Sequence, residues 1–515
     1  MTTSIAIAKS GLKTSIIESL YNEILTNSNN YYYFLGKTLP FGEDDTTETP
    51  AVTPAYEAAV RDEIIFMKKI TSADVSFIIP RYNWVTNTVF DMYDDAISST
   101  NPSTTGATSL ETSKFYCMTP DYHVYKCLNN NDGAASTVQP YGSSYKLLEL
   151  SDGYTWKYLF NVRASNKFLT DEWMPVPAST SKLDYDTSSL ISVDGELAYL
   201  EVMNTGIGYT HSEISVLPFV SGTNTITVGN TNNIVANMSV SGTGIPGSTY
   251  ITNVDTLNLK ITISSNATAN GGGSGNTVSV TTRIKLDGDG EAAIPVANVS
   301  NGGLTDITLT TYGYGYTRAN VYVYGTGAGA NVRAVLPPKF GHGYNSAREL
   351  GATNVMVAMK IGEIDTTEGG LISSNTTFRQ YGLLRDPYKY GDTTTISSSN
   401  ANTVISQTTD LTIISGSYYN TDEFVFQGPS SSAATFSGFV NNQDANIVRL
   451  SKVTGSPSVG VPLKGVSTNP TGRAVVSIDN PEFEPYTGDI LYVNNITKTQ
   501  RTDGQAESIK FVVRF

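Results

Sequence analysis

Three histidines, two cysteines and a few clustered carboxylates are the residues of this 515-residue chain whose types could do chemistry. His123, His211 and His342 lie far apart, with no second ligand at metal-binding spacing near any of them. His342 stands in Gly341-His342-Gly343, where a catalytic histidine is conceivable and a turn histidine held for backbone reasons is the simpler reading. In Leu286 to Ala292, LDGDGEA, the acids Asp287, Asp289 and Glu291 alternate as in a calcium loop. The glycine at position six and the distal bidentate glutamate of an EF-hand are missing.

GTGAGA (Gly325 to Ala330) imitates a dinucleotide fingerprint, yet its third glycine is misplaced and no helical pattern follows, so it reads as a turn between strands. Asp44-Asp45 and Asp94-Asp95 are neighbours in extended chain, where their side chains diverge and cannot share a substrate. Neither a Walker lysine nor a G-x-S-x-G elbow occurs. Cys117 and Cys127 share one face if 115–118 pairs with 124–128, but they sit diagonally, so two reduced structural thiols are expected. No catalytic, cofactor-binding or metal-binding residue is therefore assigned.

The aromatic load is the stronger signal, with 31 tyrosines, several of them clustered. In YKLLELSDGYTWKYLFNV (Tyr145 to Val162), Asp152-Gly153 suits a type I′ turn between two antiparallel arms. On the second arm Tyr154, Trp156, Tyr158 and Phe160 alternate with Thr155, Lys157 and Leu159. Such a face needs a large partner surface, either the inner wall of a sandwich or another subunit. Tyr312, Tyr314 and Tyr316 form a second candidate contact, because tyrosine is enriched at interfaces and also fills sheets.

The elements that position these residues are mostly strands. Ser15 and Glu18 read as a capping box before a helix carrying Ile16, Ile17, Leu20 and Ile24 and ending near Asn27. A strand follows at Tyr31 to Leu35. Pro54 opens a second helix whose Tyr56, Val60, Ile64 and Met67 recur at helical spacing until about Ile70. Strands are then expected at Val75 to Ile79 and Trp84 to Tyr93, in the cysteine hairpin, and at a connector from Trp173 to Ala178.

Leu200, Val202 and NTGIGYT (Asn204 to Thr210) echo Ile307, Leu309 and TYGYGYT (Thr311 to Thr317), which suggests duplicated hairpin units. Between the copies, 218–290 reads as a small inserted all-β module. GHGYNSARELGA reads as a loop, Val355 to Ile361 as a strand, Thr393 to Thr409 as a polar linker, and 400–476 as a second inserted β module. At the C-terminus Ile509, Phe511, Val513 and Phe515 alternate as a half-buried strand. The expected division is 1–217, 291–399 and 477–515 for a core sandwich, with 218–290 and 400–476 inserted.

Composition agrees with a mainly-β chain: hydrophobic content is 39%, charged content 16%, and Gly is abundant at 45 residues. A formal charge of −14 argues against sequence-independent nucleic-acid binding, and no apolar run reaches the roughly 20 residues that span a bilayer. The N-terminus lacks a secretory pattern, so a soluble chain made in a cytoplasm is expected.

Taken in order, YYYFLGKTLPFGED (Tyr31 to Asp44), IIPRYNW (Ile78 to Trp84), VYKCL (Val124 to Leu128), DGYTWKYLF (Asp152 to Phe160), FRQYGLLRDP (Phe378 to Pro387) and TGDILYVNNITKTQR with the terminal strand resemble the baseplate wedge subunit of contractile-tailed, T-even-type phages. The likeness covers about Lys13 to Pro177, Pro337 to Arg385 and Gly488 to Phe515. This chain is longer, its excess falling in the two β modules, as in cyanobacterial-phage relatives, and it has NNIT where the family tends to a proline-rich turn. The resemblance implies a layered β-sandwich with helix-bearing loops at its sides, a homodimer and contacts with other wedge proteins in the virion baseplate. It also implies a part in the rearrangement that triggers sheath contraction, with no catalytic residue and no cofactor. A trimeric tail-fibre or glycan-binding receptor protein is the alternative, and a glycan-degrading enzyme would need a carboxylate pair across a groove.

Overall fold

The computed structural model describes residues 10–26, 29–144, 146–177, 192–361, 372, 376–396, 404–501 and 507–514. Strands hold 45% of the residues and helices 9%, so the protein is mainly β and sheets carry its architecture. Two compact units divide the chain, one made of Met1–Ile78 with Thr353–Phe515, the other of Ile79–Ala352. This differs from a single core shared by 1–217, 291–399 and 477–515, because distant strands close the first unit. Asn354–Ile361 pairs with Val75–Pro80 on one side and with Glu507–Arg514 on the other.

In the first unit a five-stranded antiparallel sheet runs in the order Val404–Ser406, Ile64–Lys69, Tyr31–Gly36, Thr377–Arg385, Asp489–Gln500. All six residues of Tyr31–Gly36 are buried, which is why the run YYYFLG is aromatic and apolar without alternation. The tract expected as a polar linker, Thr393 to Thr409, contributes the edge strand Val404–Ser406; its residues 397–403 lie outside the described ones. Phe515, expected to end the last strand, also lies outside them.

Both expected helices have different bounds. Helix α1 spans Ser10–Thr26, so Ser15 and Glu18 are interior positions and not a cap. Its Ile17 and Ile24 are buried and Ile16 is exposed. Helix α2 is Pro54–Glu63, with Thr53 Oγ1 accepting from Tyr56 N at 3.2 Å, and it does not continue to Ile70. At Ile64 the backbone turns to φ −64°, ψ 135°, and Ile64–Lys69 is a strand buried along its whole length. Ile64, Ile65, Phe66 and Met67 are apolar on both faces, which a central strand can bury and a one-sided helix cannot.

Six antiparallel strands close a barrel in the same unit, in the order Thr409–Ile413, Ile447–Gly455, Phe436–Asp444, Phe424–Gln427, Pro462–Gly465, Arg473–Asp479. Leu411, Val425, Val440, Val448, Leu450 and Leu463 fill it, each fully buried. Closure removes the free edges such short strands would otherwise expose.

The second unit is organised on a four-stranded sheet ordered Tyr116–Met118, His123–Asn130, Tyr154–Asn161, Leu148–Glu149. The turn before Tyr154 is not type I′, since Gly153 has φ 81° while Asp152 is not among the positive-φ residues. Gly153 N donates to Leu150 O at 3.0 Å and Leu150 N to Tyr154 O at 2.9 Å, a type I turn followed by a left-handed glycine. Trp84 to Tyr93 forms no strand; Asn83 and Thr88 make single bridges to Met118 and Ser136. Trp173–Val176 is a short strand, and Ala178 lies outside the described residues.

Strands from Ser212 to Thr281 form two three-stranded sheets, 212–215/277–281/239–241 and 225–227/260–263/251–255. Ile226, Met238, Val240, Ile251, Ile261 and Val280 lie between them, so this module has its own hydrophobic core. The next strands, Arg283–Gly288 onward, pack into a different cluster with Leu200, Leu304 and Ile307, which puts the end of the module near 281 and not 290. A fragment of residues 211–282 is expected to fold alone, giving a β-type circular dichroism spectrum and one cooperative thermal transition; a featureless melt would show that the module depends on its surroundings.

Candidate functional site

The 123–130 and 154–161 strands alternate, so their sheet presents two chemically different faces. One face packs Tyr154, Trp156 and Tyr158 against Phe90, Cys117, Tyr125 and Cys127. Tyr154 and Trp156 are fully buried, their rings stacked with centroids 5.5 Å apart, and Phe90 meets Trp156 edge-on at 5.4 Å. Tyr154 Oη donates to Ala134 O at 2.6 Å. Phe160 is buried too. Of the two readings of this aromatic face, the structure places it inside its own unit.

Cys117 pairs with Tyr125 and not with Cys127, and both thiols are free and buried. Burial pushes both well above the ordinary thiol value. A thiol held protonated in an apolar cluster is a poor nucleophile.

Tyr312, Tyr314 and Tyr316 separate in the same way. Tyr316 is buried, Tyr312 half-buried, and Tyr314 is 50% exposed, its hydroxyl donating to Glu291 Oε2 at 3.1 Å. Tyr316 is the counterpart of buried Tyr209 in the repeated segment. The glycines two turns of sequence share, Gly206 and Gly208 in one copy and Gly313 and Gly315 in the other, all have positive φ, from 61° to 80°. A Cβ on Gly206 would meet Tyr209 Cε2 at 2.7 Å, and one on Gly290 would meet Tyr316 Cγ at 2.4 Å. Each tyrosine ring therefore packs against the bare backbone of a glycine, Gly206 of the echo for Tyr209 and Gly290 outside it for Tyr316.

The second face of the sheet carries charge. Lys126 is 0% exposed and Lys157 5%. Lys126 Nζ donates to Glu349 Oε1 at 2.6 Å and to His342 Nδ1 at 2.8 Å, and lies 3.6 Å from the centre of the Tyr93 ring. Glu349 belongs to α3, Ser346–Glu349, a short helix in the stretch read as a loop; Asn345 Oδ1 caps it by accepting from Arg348 N at 3.0 Å. The other carboxylate oxygen accepts from Gly343 N at 2.7 Å.

Burial lowers the Lys126 ammonium to about 8 against the pull of Glu349. Burial alone would raise Glu349, but Lys126 and then His342 outweigh it and hold the carboxyl down at about 2. His342 is pushed down to about 4 by burial and then by Lys126. At neutral pH the cluster is thus a buried ion pair beside a neutral imidazole that accepts at Nδ1. Its Nε2 has no hydrogen-bond partner among the described residues and its ring meets Tyr93 edge-on at 5.2 Å. Here a residue singled out as chemical, His342, meets charged partners that are themselves buried. Lys126 and Glu349 carried no sequence signal, because they lie 223 positions apart.

The other candidates stay apart. His123 contacts Tyr125 and Tyr158, and His211 faces Glu213 at 3.3 Å on the surface. Asp289 is occupied by protein: its oxygens accept from Thr317 N at 3.0 Å, from Thr317 Oγ1 at 2.5 Å and from Arg318 N at 3.1 Å, so it tethers a strand end. Asp94 and Asp95, expected to diverge, converge on Arg333, at 2.6 and 2.7 Å, with Glu201 at 2.7 Å from the same guanidinium. A bend at Asp94-Asp95 in place of extended chain brings them together. Among the described residues no three His, Cys, Asp or Glu form a metal-holding group, and no helix is long and apolar enough to cross a membrane. No family model matches the chain, and no curated protein matches it.

Glu349→Gln leaves the Lys126 charge buried without compensation and is expected to cost about 3–5 kcal/mol. Trp84, Trp156 and Trp173 are the three tryptophans and all lie in the 79–352 unit, so urea unfolding followed by tryptophan fluorescence reads that unit alone. The double variant Lys126→Met, Glu349→Leu should recover most of the loss. The unfolded chain protonates His342 near 6.5 and the folded chain near 4, so the unfolded state binds more protons in between. Stability therefore falls as pH drops from 6.5 to 4, and this portion of the pH dependence should vanish in His342→Gln.

Proposed function

We propose that this chain is a structural subunit of a contractile-tailed phage baseplate wedge, assembled in the host cytoplasm and acting through protein contacts without turnover. The observation that carries the reading is where the family-like segments lie. Tyr31 to Asp44 holds the buried middle strand of the five-stranded sheet, Phe378 to Pro387 lies beside it, and the 489–500 strand lies beyond that at the edge. Val124 to Leu128 and Asp152 to Phe160 form the centre of the sheet in the other unit. The excess length falls in the 212–281 module and the 409–479 barrel, each with its own core. Family-like sequence thus coincides with framework, and added sequence with self-contained modules.

The aromatic face is occupied internally, so subunit contacts must use other residues. Met203, Ile207, Ile294, Val296, Tyr314 and Tyr322 are large, exposed and all on strands of the 79–352 unit. A contact of this kind buries apolar side chains at its centre and keeps a polar rim.

Size-exclusion chromatography with light scattering is expected to give about 110.6 kDa, twice the chain mass of 55.3 kDa. The double variant Ile294→Asp, Tyr314→Asp should shift the peak toward the single-chain mass while its thermal melt stays within a few degrees. A trimer would favour the fibre reading. A monomer that fails to associate with other baseplate proteins would overturn the wedge assignment.

A further inference from the structure

We infer that the cleft between the 123–161 sheet and the strands Tyr199–Ile207 and Gly303–Tyr314 binds a neutral saccharide, a single sugar ring of a larger glycan or a free glycoside. The inference is independent of the wedge reading and lies wholly within the 79–352 unit. The cleft has a volume of about 250 Å³. That is below the roughly 300–1,000 Å³ of pockets that take drug-sized molecules, so it suits one ring and not a long oligomer.

Its walls have two chemistries. The apolar part comes from Leu128, Leu200, Ile307 and Leu309, all buried. The polar part is a row across three adjacent strands, Asn129 opposite Thr155 and Thr155 opposite Glu149. Cross-strand neighbours stand about 4.5–5.5 Å apart, comparable with the separation of hydroxyls on alternate carbons of a sugar ring. On the facing wall are Asp306, Thr308 and Tyr312. Asn298 Nδ2 donates to Asp306 Oδ2 at 3.4 Å and to Thr308 Oγ1 at 3.0 Å, which fixes both before any ligand arrives. Asn129 Oδ1 is engaged by Asn131 N at 2.8 Å, leaving its amide nitrogen as a donor. The Tyr312 phenol is pushed up by burial and then by Glu149 and Glu196, so it is a protonated hydroxyl at neutral pH.

Among the described residues no Lys, Arg or His lines the cleft, which disfavours phosphates, sulfates and acidic sugars. Two classes of ligand match a lining of acids, amides and hydroxyls, a cationic amine and a polyhydroxylated ring. An ammonium is donor-only and would leave the Asn129 amide without an acceptor, whereas sugar hydroxyls donate to Glu149 and Asp306 and accept from Asn129. The C–H groups of a ring also suit the apolar part of the lining, which a compact ammonium does not. The saccharide satisfies both chemistries.

The test is saturation-transfer NMR on the full chain with methyl β-glucopyranoside, methyl β-galactopyranoside and methyl N-acetyl-β-glucosaminide as probes, and Nα-acetyl-lysine amide as the cationic competitor. At least one glycoside should receive transfer, and its affinity should fall roughly tenfold or more in Glu149→Gln and in Asp306→Asn, each of which replaces a charge-assisted acceptor. Both acids are exposed, so the thermal melts of the variants should match the parent. Absence of transfer to all three glycosides, transfer unchanged in both variants, or binding of the lysine amide in their place would each overturn the inference.

Discussion

An ammonium group with no access to water constrains how the 79–352 unit can be assembled. Lys126 sits on a central strand with its side chain directed away from the aromatic cluster and is fully buried. Left alone, a charge there would be too costly to keep, and the strand would have to expose it or deprotonate it. Its partners, Glu349 at 2.6 Å and His342 at 2.8 Å, come from a segment more than two hundred residues later. The sheet is therefore complete only when the chain has returned from the 212–281 module and the strands after it. The Tyr93 ring, 3.6 Å from the ammonium, supplies the apolar side of the same cage.

How much of this could be read from the sequence depends on how far apart the partners are. Local patterns were legible: the alternation in Tyr154 to Phe160, the unbroken apolar run at Tyr31, the Gly-rich turns and the mainly-β class all follow from spacing of two or from turn residues. Ile64 to Met67 was misleading because Val60, Ile64 and Met67 also fit a helical spacing, and only burial on both faces distinguishes a central strand from a one-sided helix. Asp152-Gly153 fits two turn types, and the left-handed residue is the glycine alone. The Lys126–Glu349 pair was not legible, since neither residue has a neighbour in sequence that marks it. The same holds for Asp94 and Asp95, whose common partner Arg333 lies 238 positions beyond Asp95.

The aromatic residues illustrate why type and pattern do not decide location. A row of four large rings on one strand face requires a partner surface, and physics is indifferent to whether that surface belongs to the same chain. Here Phe90, Cys117, Tyr125 and Cys127 provide it for Tyr154, Trp156 and Tyr158. Tyr209 and Tyr316 are buried for a different reason, because glycines of neighbouring strands leave room for a ring against bare backbone. What stays exposed are aliphatic and tyrosyl side chains on the outward rows of the later strands, which no sequence pattern separates from the buried rows.

The 212–281 module raises a further question of attachment. A domain with a separate core, joined by two chain crossings, would ordinarily be free to reorient about its linkers. Its links here are more than covalent. Thr210 Oγ1 meets Thr326 Oγ1 at 3.0 Å where the chain enters. Where it leaves, the Arg283 guanidinium lies 3.7 Å from the Tyr250 ring in the module and 5.7 Å from the Tyr324 ring in the framework. A planar cation shared by one ring on each side resists bending in the direction that would separate them, and Arg suits this because its guanidinium stays charged and stacks flat. The module is thus tied at both crossings to the Tyr324 to Thr326 segment of the framework.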